Sequence, residues 1–484
     1  MKQYTVCFLP EDVRCTVVEG TTLLQALRMA GLHPDAPCGG KGTCGKCRVT
    51  VDDREVFACQ TLVNRDLTVT RPQSRERQIL TQGLCARIQP DGKHDYGLAF
   101  DIGTTTVVAY LLDGKTGKLL ARESCPNPQA QYGADVISRI QYALAETGGV
   151  LRECIRSCLK QLTLAIAEKA GISAEVISVA AIAGNTAMHH LLLGIDPKPL
   201  VTPPYMPKAR EALEMEGILP ISGSVRLLPN IAGFVGGDTV GCMVATGFDA
   251  LEELTLMIDI GTNGEIVLGD KNRQIACSAA AGPAFEGAKI SCGMCAAAGA
   301  VDHVWLEEGA LRYHVIGEES PVGICGSGLL DLVALLLKTG VIDETGYMEE
   351  GSYRLGQSDV VLTQKDVREV QLAKAAIRAG IELLAQKLQV KLTDIRQVYL
   401  AGAFGSYMKP ASACAIGMIP SCLETRIQSI GNAAGEGAKL CTLHRGAFEH
   451  SKKLAETVEF LELASAPQFQ DVFVDAMEFS EEAL

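Results

Sequence analysis

A short motif occurs twice in this 484-residue chain, and it constrains the fold more than any other feature. Residues 101–104 and residues 259–262 both read Asp-Ile-Gly-Thr, and each copy follows an apolar run. Each copy continues into a second apolar run that ends in a turn, at residues 113–114 or 269–270. Two apolar runs joined by a tight turn predict a β-hairpin. The repeat therefore predicts two similar lobes that face each other across a cleft.

The two predicted hairpins have the chemistry of a phosphate-binding site. A tight glycine turn leaves backbone N–H groups free, and threonine hydroxyls beside it can also donate to phosphate oxygens. An aspartate at the start of each turn can hold Mg²⁺ through water, so Asp101 and Asp259 are candidate catalytic residues. A single copy would indicate only a β-turn, but two copies can hold adjacent phosphates from both sides. The candidate phosphate-binding residues are Gly103, Thr104, Thr105, Thr106, Gly261, Thr262 and Asn263.

Four cysteines near the amino terminus have the spacing C-x5-C-x2-C-x11-C. Cys38, Cys44 and Cys47 lie on one glycine-rich loop, and Cys59 follows near a predicted strand. Three thiolates on a loop and a fourth from a neighbouring strand can hold a [2Fe–2S] cluster. The loop glycines let the backbone wrap closely around such a cluster. A structural zinc site favours two separated C-x-x-C pairs, and this segment has one. These four cysteines are therefore candidate ligands of a [2Fe–2S] cluster.

The remaining pattern divides the chain into domains. Residues 1–72 contain two strands, a short helix, the cysteine loop and two more strands, which predicts a β-grasp domain. Residues 73–95 are polar and rich in turn residues, so we interpret them as a linker, with one short helix at 78–88. From residue 96, strands and helices alternate as in α/β proteins. We place the two lobes at 96–250 and 251–484, which predicts an α/β multidomain protein.

Composition and charge argue against two classes of partner. The net charge is −13, whereas a nucleic-acid-binding protein needs a basic surface. The longest apolar runs, such as residues 329–337, are too short to span a bilayer, and residues 1–4 do not resemble a signal peptide. Eighteen cysteines in a chain without an export signal indicate reduced thiols. We therefore expect a cytoplasmic protein that binds neither nucleic acid nor a membrane.

Parts of the sequence resemble two known groups of proteins. Residues 38–47 resemble [2Fe–2S] ferredoxins of the plant and adrenodoxin type, and residues 57–61 are similar to their fourth-ligand segment. The repeated hairpins resemble the phosphate motifs of the superfamily of acetate and sugar kinases, Hsp70 and actin, whose two lobes are ribonuclease-H-like. Residues 398–406 are similar to its adenosine-binding element. This resemblance implies that ATP and Mg²⁺ bind, and it adds the candidate nucleotide-binding residues Gly402, Ala403 and Gly405.

The combination of both parts resembles the reductive activators of corrinoid proteins over nearly the whole chain. Further segments similar to that family are residues 183–190, 236–239, 281–288, 323–328 and 430–435. Gly326 and Ser327, in the fourth of these segments, are additional candidate nucleotide-binding residues. Asp238 is a candidate catalytic residue that would orient the attacking water, and a turn-forming role is the alternative.

The resemblance implies an activity and a partner. The protein would use ATP to transfer one electron from a [2Fe–2S] cluster to an inactive Co(II) corrinoid, which restores Co(I). The implied partner is the corrinoid protein of a methyltransferase or O-demethylase system, and an unidentified electron donor would reduce the cluster. Such activators can offer an oxygen ligand to cobalt, so Ser278 and Glu286 are candidate cobalt contacts, and packing within the loop is the alternative role. His189 and His190 are packing residues or, alternatively, cobalt ligands.

Two other functions stay open at this point. Cys292 and Cys295, with Cys277 and Cys325, could hold a second cluster. The chain would then resemble the activators of 2-hydroxyacyl-CoA dehydratases, homodimers with a bridging [4Fe–4S] cluster that donate one electron to a radical enzyme. Small buried thiols are the alternative interpretation of these cysteines. A redox-sensing nucleotide-binding protein is the non-enzymatic alternative, and the assembly state, monomer or homodimer, is open.

Overall fold

The structure is a computed structural model that describes residues 2–32, 36, 38–42, 44–72, 83, 89–146, 148–261 and 263–479. The helix expected at 78–88, apart from Gly83, lies outside the described residues, as does the candidate residue Thr262. No helix within the described ranges is long and apolar enough to cross a membrane.

The amino-terminal domain is a five-stranded sheet with one helix packed on it. Its elements are β1 (Gln3–Leu9), β2 (Val13–Val18), α1 (Leu23–Met29), β3 (Arg48–Val51), β4 (Arg54–Phe57) and β5 (Leu67–Thr70). The strand order is β2-β1-β5-β3-β4, and β1 and β5 are parallel. Helix α1 begins after Thr22, whose side chain accepts from the Gln25 N–H. Phe8 and Leu27 are fully buried between the sheet and the helix, so the predicted ferredoxin-like β-grasp fold is confirmed.

The first lobe is built on a six-stranded sheet, in the order β10-β11-β9-β6-β7-β8. Its elements are β6 (Tyr96–Ile102), β7 (Thr106–Asp113), β8 (Leu119–Pro126), α2 (Val136–Ala145), α3 (Val150–Lys169), β9 (Ile177–Gly184), α4 (Thr186–Leu193), β10 (Leu213–Met215), β11 (Ser224–Leu227) and α5 (Gly237–Thr246). The central strands β6, β7 and β9 are almost entirely buried, which explains their near-continuous apolar sequences.

The second lobe has its own six-stranded sheet, in the order β21-β20-β12-β13-β14-β22. Its elements are β12 (Thr255–Ile260), β13 (Gly264–Gly269), β14 (Gln274–Ala279), β15 (Ala300–Glu307), β16 (Ala310–Val315), β17 (Gly323–Ile324), α6 (Gly326–Lys338), β18 (Ser352–Arg354), β19 (Val361–Thr363), α7 (Gln364–Leu388), β20 (Gln397–Ala401), α8 (Gly402–Tyr407), α9 (Pro410–Ala415), β21 (Ile427–Gly431), α10 (Ala433–Leu443), α11 (Arg445–Thr457), β22 (Glu459–Phe460) and α12 (Phe469–Asp475).

The two large sheets repeat the same topology. In each sheet three antiparallel strands, β6-β7-β8 or β12-β13-β14, are followed on the other side by two parallel strands, β9-β11 or β20-β21. The repeated motif lies at the turn between the first two strands of each sheet. The predicted duplicated, two-lobed fold is therefore confirmed.

Helices α5 and α10 lie between the two sheets and give both lobes a shared core. Buried residues of both sheets and both helices form one apolar cluster, which includes Val108, Val240, Val267 and Ala438. The helices approach closely because glycine lies at their crossing, where a Cβ on Gly437 would come 2.0 Å from the Gly241 carbonyl oxygen. Helix α10 is thus distant from the first lobe in sequence but packs against its strands β6 and β9. The domain boundaries predicted above stay a prediction.

Candidate functional site

The first repeated turn lies in the cleft between the lobes. The Gly103 N–H donates to the Thr106 carbonyl oxygen at 2.9 Å, which closes the turn between β6 and β7. Asn185, just before α4, donates from Nδ2 to Thr104 Oγ1 at 3.0 Å. The fully buried guanidinium of Arg139 donates to the Thr104 carbonyl oxygen. Asn185 and Arg139 therefore hold the turn in place, and the threonines of the turn line the cleft.

The second repeated turn faces the first one across the cleft. Here the Gly261 N–H donates to the Asn263 carbonyl oxygen at 2.9 Å. Gly402, the first residue of α8, has a φ of +84°, and a Cβ on it would lie 2.7 Å from Asp259 Oδ1. Glycine at this position lets the start of α8 approach the carboxylate. Gly261, Asn263 and Gly402 line the same cavity as the first turn, so the structure brings both hairpins and the third predicted element together.

Six carboxylates of the described residues line this cleft, and four of them, Asp101, Asp238, Asp259 and Glu265, lie close enough to repel one another. Burial raises the pKa of Asp101 to about 7, although a hydrogen bond of 2.8 Å from Asn432 Nδ2 acts in the opposite direction. Burial and the neighbouring carboxylates raise the pKa of Asp259 to about 7, and burial raises the pKa of Asp238 to about 6. Burial also raises the pKa of Glu265 well above its usual range. This concentration of oxygen ligands could hold a hydrated divalent cation beside phosphates.

The cavity has a volume of about 290 Å³, and Phe285, Phe404 and Tyr407 form an apolar part of its wall. The Phe404 ring stacks on Phe285, with the ring centroids 4.9 Å apart and the planes 6° apart. Tyr407 lies on the same wall, and Gly326 and Ser327 line the cavity at the start of α6. A cavity lined by both an apolar wall and polar turns suits a ligand with one flat apolar end and one charged end, such as a nucleotide.

Several residues of the cleft have no role predicted from the sequence. Asn185 and Asn432 each follow a strand and cap the next helix through their side chains, and this strand–Asn–helix pattern is a signal that could have identified them. Glu265 has no such signal, because it is an isolated glutamate within a buried strand. Gly405 lies against Leu400, to which a Cβ would come within 3.2 Å, and is not among the lining residues. The Ala403 side chain lies outside the described part of the chain.

The four cysteines of the amino-terminal domain approach one another in two pairs. The Sγ atoms of Cys38 and Cys44 are 3.3 Å apart, and Cys47 and Cys59 form a second interacting pair. Burial and these neighbouring thiols raise the pKa of Cys59 to about 11. Within the described residues, no three metal-binding side chains converge on a single ion position. Two pairs of cysteines supply one pair of thiolates for each of two irons. The residues present therefore fit a [2Fe–2S] cluster better than a zinc ion.

The two candidate histidines are packing residues. Both lie in α4 and are fully buried, and burial lowers the pKa of His189 to about 3. His190 Nδ1 lies 2.8 Å from the Thr186 carbonyl oxygen, and its Nε2 accepts from the Lys208 N–H at 3.1 Å. Neither ring reaches a surface at which a partner's cobalt could bind.

Cys292 and Cys295 do not lie together with Cys277 and Cys325 in one site. Cys292 Sγ accepts from the Val361 N–H at 3.4 Å, whereas Cys295 lines the nucleotide cleft. Cys277 is fully buried in the core of the second lobe, and Cys325 is buried beside Ser327. Cys325 lines the cleft as Cys295 does, whereas Cys277 and Cys292 do not, so the four thiols do not share one site and the interpretation as separate thiols is favoured.

The two candidate cobalt contacts lie in different places. Ser278 is on β14, directly opposite Glu265 of β13. Glu286 lies on the loop that follows β14, and its Oε1 accepts from Thr105 Oγ1 at 2.8 Å, across the cleft. A contact of either residue with cobalt stays a prediction.

Fold and site together define an iron–sulfur protein with a two-lobed nucleotide-binding domain, and comparison with known families agrees. Residues 8–78 match a 2Fe-2S iron-sulfur cluster binding domain, residues 96–251 match the RACo middle region, and residues 253–484 match the C-terminal, ASKHA domain of RACo.

Relatives and a solved structure extend this agreement. The corrinoid activation enzyme RamQ of Eubacterium limosum is 37% identical over 413 residues, which cover 78% of this chain and 69% of RamQ. A Methanosarcina barkeri protein, the [Co(II) methylated amine-specific corrinoid protein] reductase, is 26% identical over 78% of this chain and 76% of its own length. The solved reductive activator for corrinoid,iron-sulfur protein is 30% identical, covers 98% of both chains and gives a TM-score of 0.72. The chain belongs to the RACo family of reductive activators of corrinoid proteins.

Proposed function

We propose that the protein is an ATP-dependent reductive activator that returns the inactive Co(II) corrinoid of a partner protein to Co(I). The observation that carries this proposal is that one chain combines a four-cysteine loop with a two-hairpin nucleotide cleft. When bound, a [2Fe–2S] cluster supplies a one-electron carrier, with a potential near about −400 mV in plant-type ferredoxins. Family membership, and the corrinoid-directed names of two relatives, support the choice of substrate.

The nucleotide cleft has a thermodynamic task in this proposal. Reduction of a Co(II) corrinoid to Co(I) needs a lower potential than ordinary one-electron donors have, and each tenfold change in a one-electron equilibrium corresponds to about 59 mV. A ligand shifts such an equilibrium only by the difference between its affinities for the two states. Binding and hydrolysis of ATP would supply that difference by favouring the complex with the Co(II) partner and then releasing the Co(I) product.

The cleft residues divide this task among them. Asp101 and Asp259 would hold a hydrated Mg²⁺ between the two turns, because their carboxylates flank the position of the phosphates. The backbone N–H groups and hydroxyls of Thr104 and Thr105 would donate to the phosphate oxygens. Asp238, with its raised pKa, would orient and deprotonate the attacking water.

The partner and the setting are also part of the proposal. We propose a corrinoid protein of a methyltransferase or O-demethylase system, with a separate reductant that recharges the cluster. A cytoplasmic location fits a protein with many free cysteines in its described part, because such thiols need a reducing compartment.

Two variants test the division of labour between the domains. Asp259→Ala should abolish ATP-dependent formation of Co(I) and leave the visible absorbance of the iron–sulfur cluster unchanged. Cys44→Ser should abolish Co(I) formation and the cluster absorbance, and leave nucleotide binding unchanged in calorimetry. If the two variants had the same cluster absorbance and the same nucleotide affinity, the proposed function would be contradicted.

A further inference from the structure

The amino-terminal domain contacts both lobes beside the nucleotide cleft. On the first lobe, Lys41 Nζ donates to Gln141 Oε1 at 3.1 Å. The Arg28 guanidinium donates to the Gln131 carbonyl oxygen and lies 5.2 Å from the centroid of the Tyr132 ring. The cysteine loop therefore faces the ATPase lobes in this state.

The contact with the second lobe depends on one lysine of the cysteine loop. Lys46, next to Cys47 in sequence, donates from Nζ to the carbonyl oxygens of Gly287 and Gly293, both at 2.7 Å. Gly287 has a φ of +76°, and a Cβ on it would lie 2.5 Å from the Met294 nitrogen. The loop between β14 and β15, residues 280–299, thus folds back on itself so that two of its carbonyl groups point at Lys46.

The same loop reaches into the nucleotide cleft through the residue before Gly287. Glu286 Oε1 accepts from Thr105 Oγ1 at 2.8 Å, so the loop is tied to the first phosphate turn. Phe285, the residue before Glu286, stacks on Phe404, and both rings line the cavity. A short path therefore runs from the phosphate turn, through Glu286 and Gly287, to Lys46 and the cysteine loop.

We propose that Glu286 is a positioning residue that couples occupancy of the nucleotide site to release of the iron–sulfur domain. A nucleotide phosphate at the first turn needs the Thr105 hydroxyl that Glu286 now accepts from. The phosphate and the carboxylate are both negative and cannot share this donor without strong repulsion. Displacement of Glu286 moves the adjoining Gly287 carbonyl group and weakens the hold of the 280–299 loop on Lys46.

This coupling rests on the proposed function and adds a consequence for the partner. Beside this contact the cysteine loop and residues 288–294 line a shared cavity of about 800 Å³. A corrinoid protein has full access to the cysteine side of the domain only after this contact opens. Nucleotide binding would then expose the cysteine side of the amino-terminal domain in the same state in which the lobes bind the partner.

Amine footprinting of the full-length protein, with its cluster reconstituted under anaerobic conditions, tests the coupling. The labelling rate of Lys46 is compared without nucleotide and with a non-hydrolysable ATP analogue plus Mg²⁺, and the exposed Lys118 serves as internal reference. We expect the analogue to raise Lys46 labelling about tenfold, which corresponds to about 1.4 kcal/mol, and to leave Lys118 labelling unchanged.

Two variants separate the role of Glu286 from a general loosening of the loop. Glu286→Gln keeps the acceptor oxygen and removes the repulsion with phosphate, so the analogue should no longer raise Lys46 labelling. Glu369→Gln is the matched control, because Glu369 contacts Lys289 of the same loop at 3.4 Å, outside the cleft, and it should respond as the parent does.

The outcomes distinguish this inference from the function on which it rests. Unchanged Lys46 labelling in a protein that binds the analogue in calorimetry would overturn the coupling and leave the proposed function intact. A full response in Glu286→Gln would overturn the role of Glu286. Failure of the parent protein to bind the analogue at all would overturn both the coupling and the proposed function.

Discussion

The carboxylate cluster of the cleft has a cost in folding and a benefit in nucleotide binding, and one substitution separates the two. Asp259 lies near Asp101 and Asp238, and its pKa is raised to about 7. Asp259→Asn keeps the shape of the side chain and removes its charge. We expect this variant to be more stable than the parent without nucleotide, and to lose the stabilisation that Mg²⁺ and ATP give the parent.

The size of the gain follows from the pKa of the carboxyl group. A rise from 3.8 to about 7 is roughly three pKa units, which amounts to a cost on the order of 4 kcal/mol at neutral pH. Because Asp259 lines the cleft and the residue is only partly buried, we expect about half of this, about 2 kcal/mol. The unfolding entropy of a 484-residue chain is about 1 kcal/mol/K, so this gain raises Tm by about 2 °C.

The sign of the pH dependence is fixed by where the proton is held. The folded protein keeps the proton on Asp259 up to about pH 7, whereas the unfolded chain releases it near its ordinary pKa of 3.8. The stability contributed by this group is therefore complete below about pH 4 and is lost as the pH rises to about 7. The advantage of Asp259→Asn should grow across that interval and stay level above it.

Thermal unfolding of nucleotide-free protein at about pH 5 and about pH 8 measures this effect. Asp95→Asn is the matched control, because the Asp95 side chain is 76% exposed and its loss should change stability by less than about 0.5 kcal/mol. A variant that is less stable than the parent at the higher pH, or one that Mg²⁺ and ATP still stabilise, would refute the argument.

Three further substitutions test the geometry of the two sites. Arg139→Met removes buried donors to the Thr104 and Gly133 carbonyl oxygens, and urea unfolding should show a loss of about 2–4 kcal/mol; an unchanged midpoint would contradict this role. Gly402→Ala forces a Cβ at a φ of +84° towards a cleft carboxylate, and calorimetry should show nucleotide affinity lowered about tenfold, or about 1.4 kcal/mol. Gly40→Ala places a Cβ 2.8 Å from a buried leucine side chain at a φ of +97°, so the iron content per chain should fall. An unchanged iron content would contradict the claim that the cysteine loop needs glycine here to wrap around the cluster.

Much of the fold could be predicted from the sequence because the decisive signals are local. The repeated Asp-Ile-Gly-Thr turns, each between two apolar runs, are enough to indicate both hairpins, and the structure places them at equivalent positions in two sheets. Strand β4 has no such signal, since Arg54 and Glu55 make half of it charged, and it forms because β3 pairs with it.

The contacts that complete the site are distant in sequence, and local patterns do not report them. The hydrogen bond from Asn432 to Asp101 exists because α10 packs between the sheets, far along the chain from the strand that carries Asp101. Glu286 could be identified as a polar residue near the second hairpin, and its place opposite Thr105 follows only from the closure of the two lobes. Tertiary packing, rather than propensity, decides both contacts.

The most direct test of the account is anaerobic spectroscopy of the complete reaction. Reduced full-length protein is mixed with a Co(II) corrinoid protein, with and without Mg²⁺ and ATP, and the Co(I) absorption band is followed. The account predicts that the band appears only when ATP and an iron-loaded protein are both present. An equal yield of Co(I) without ATP, or with the Cys44→Ser variant, would contradict it.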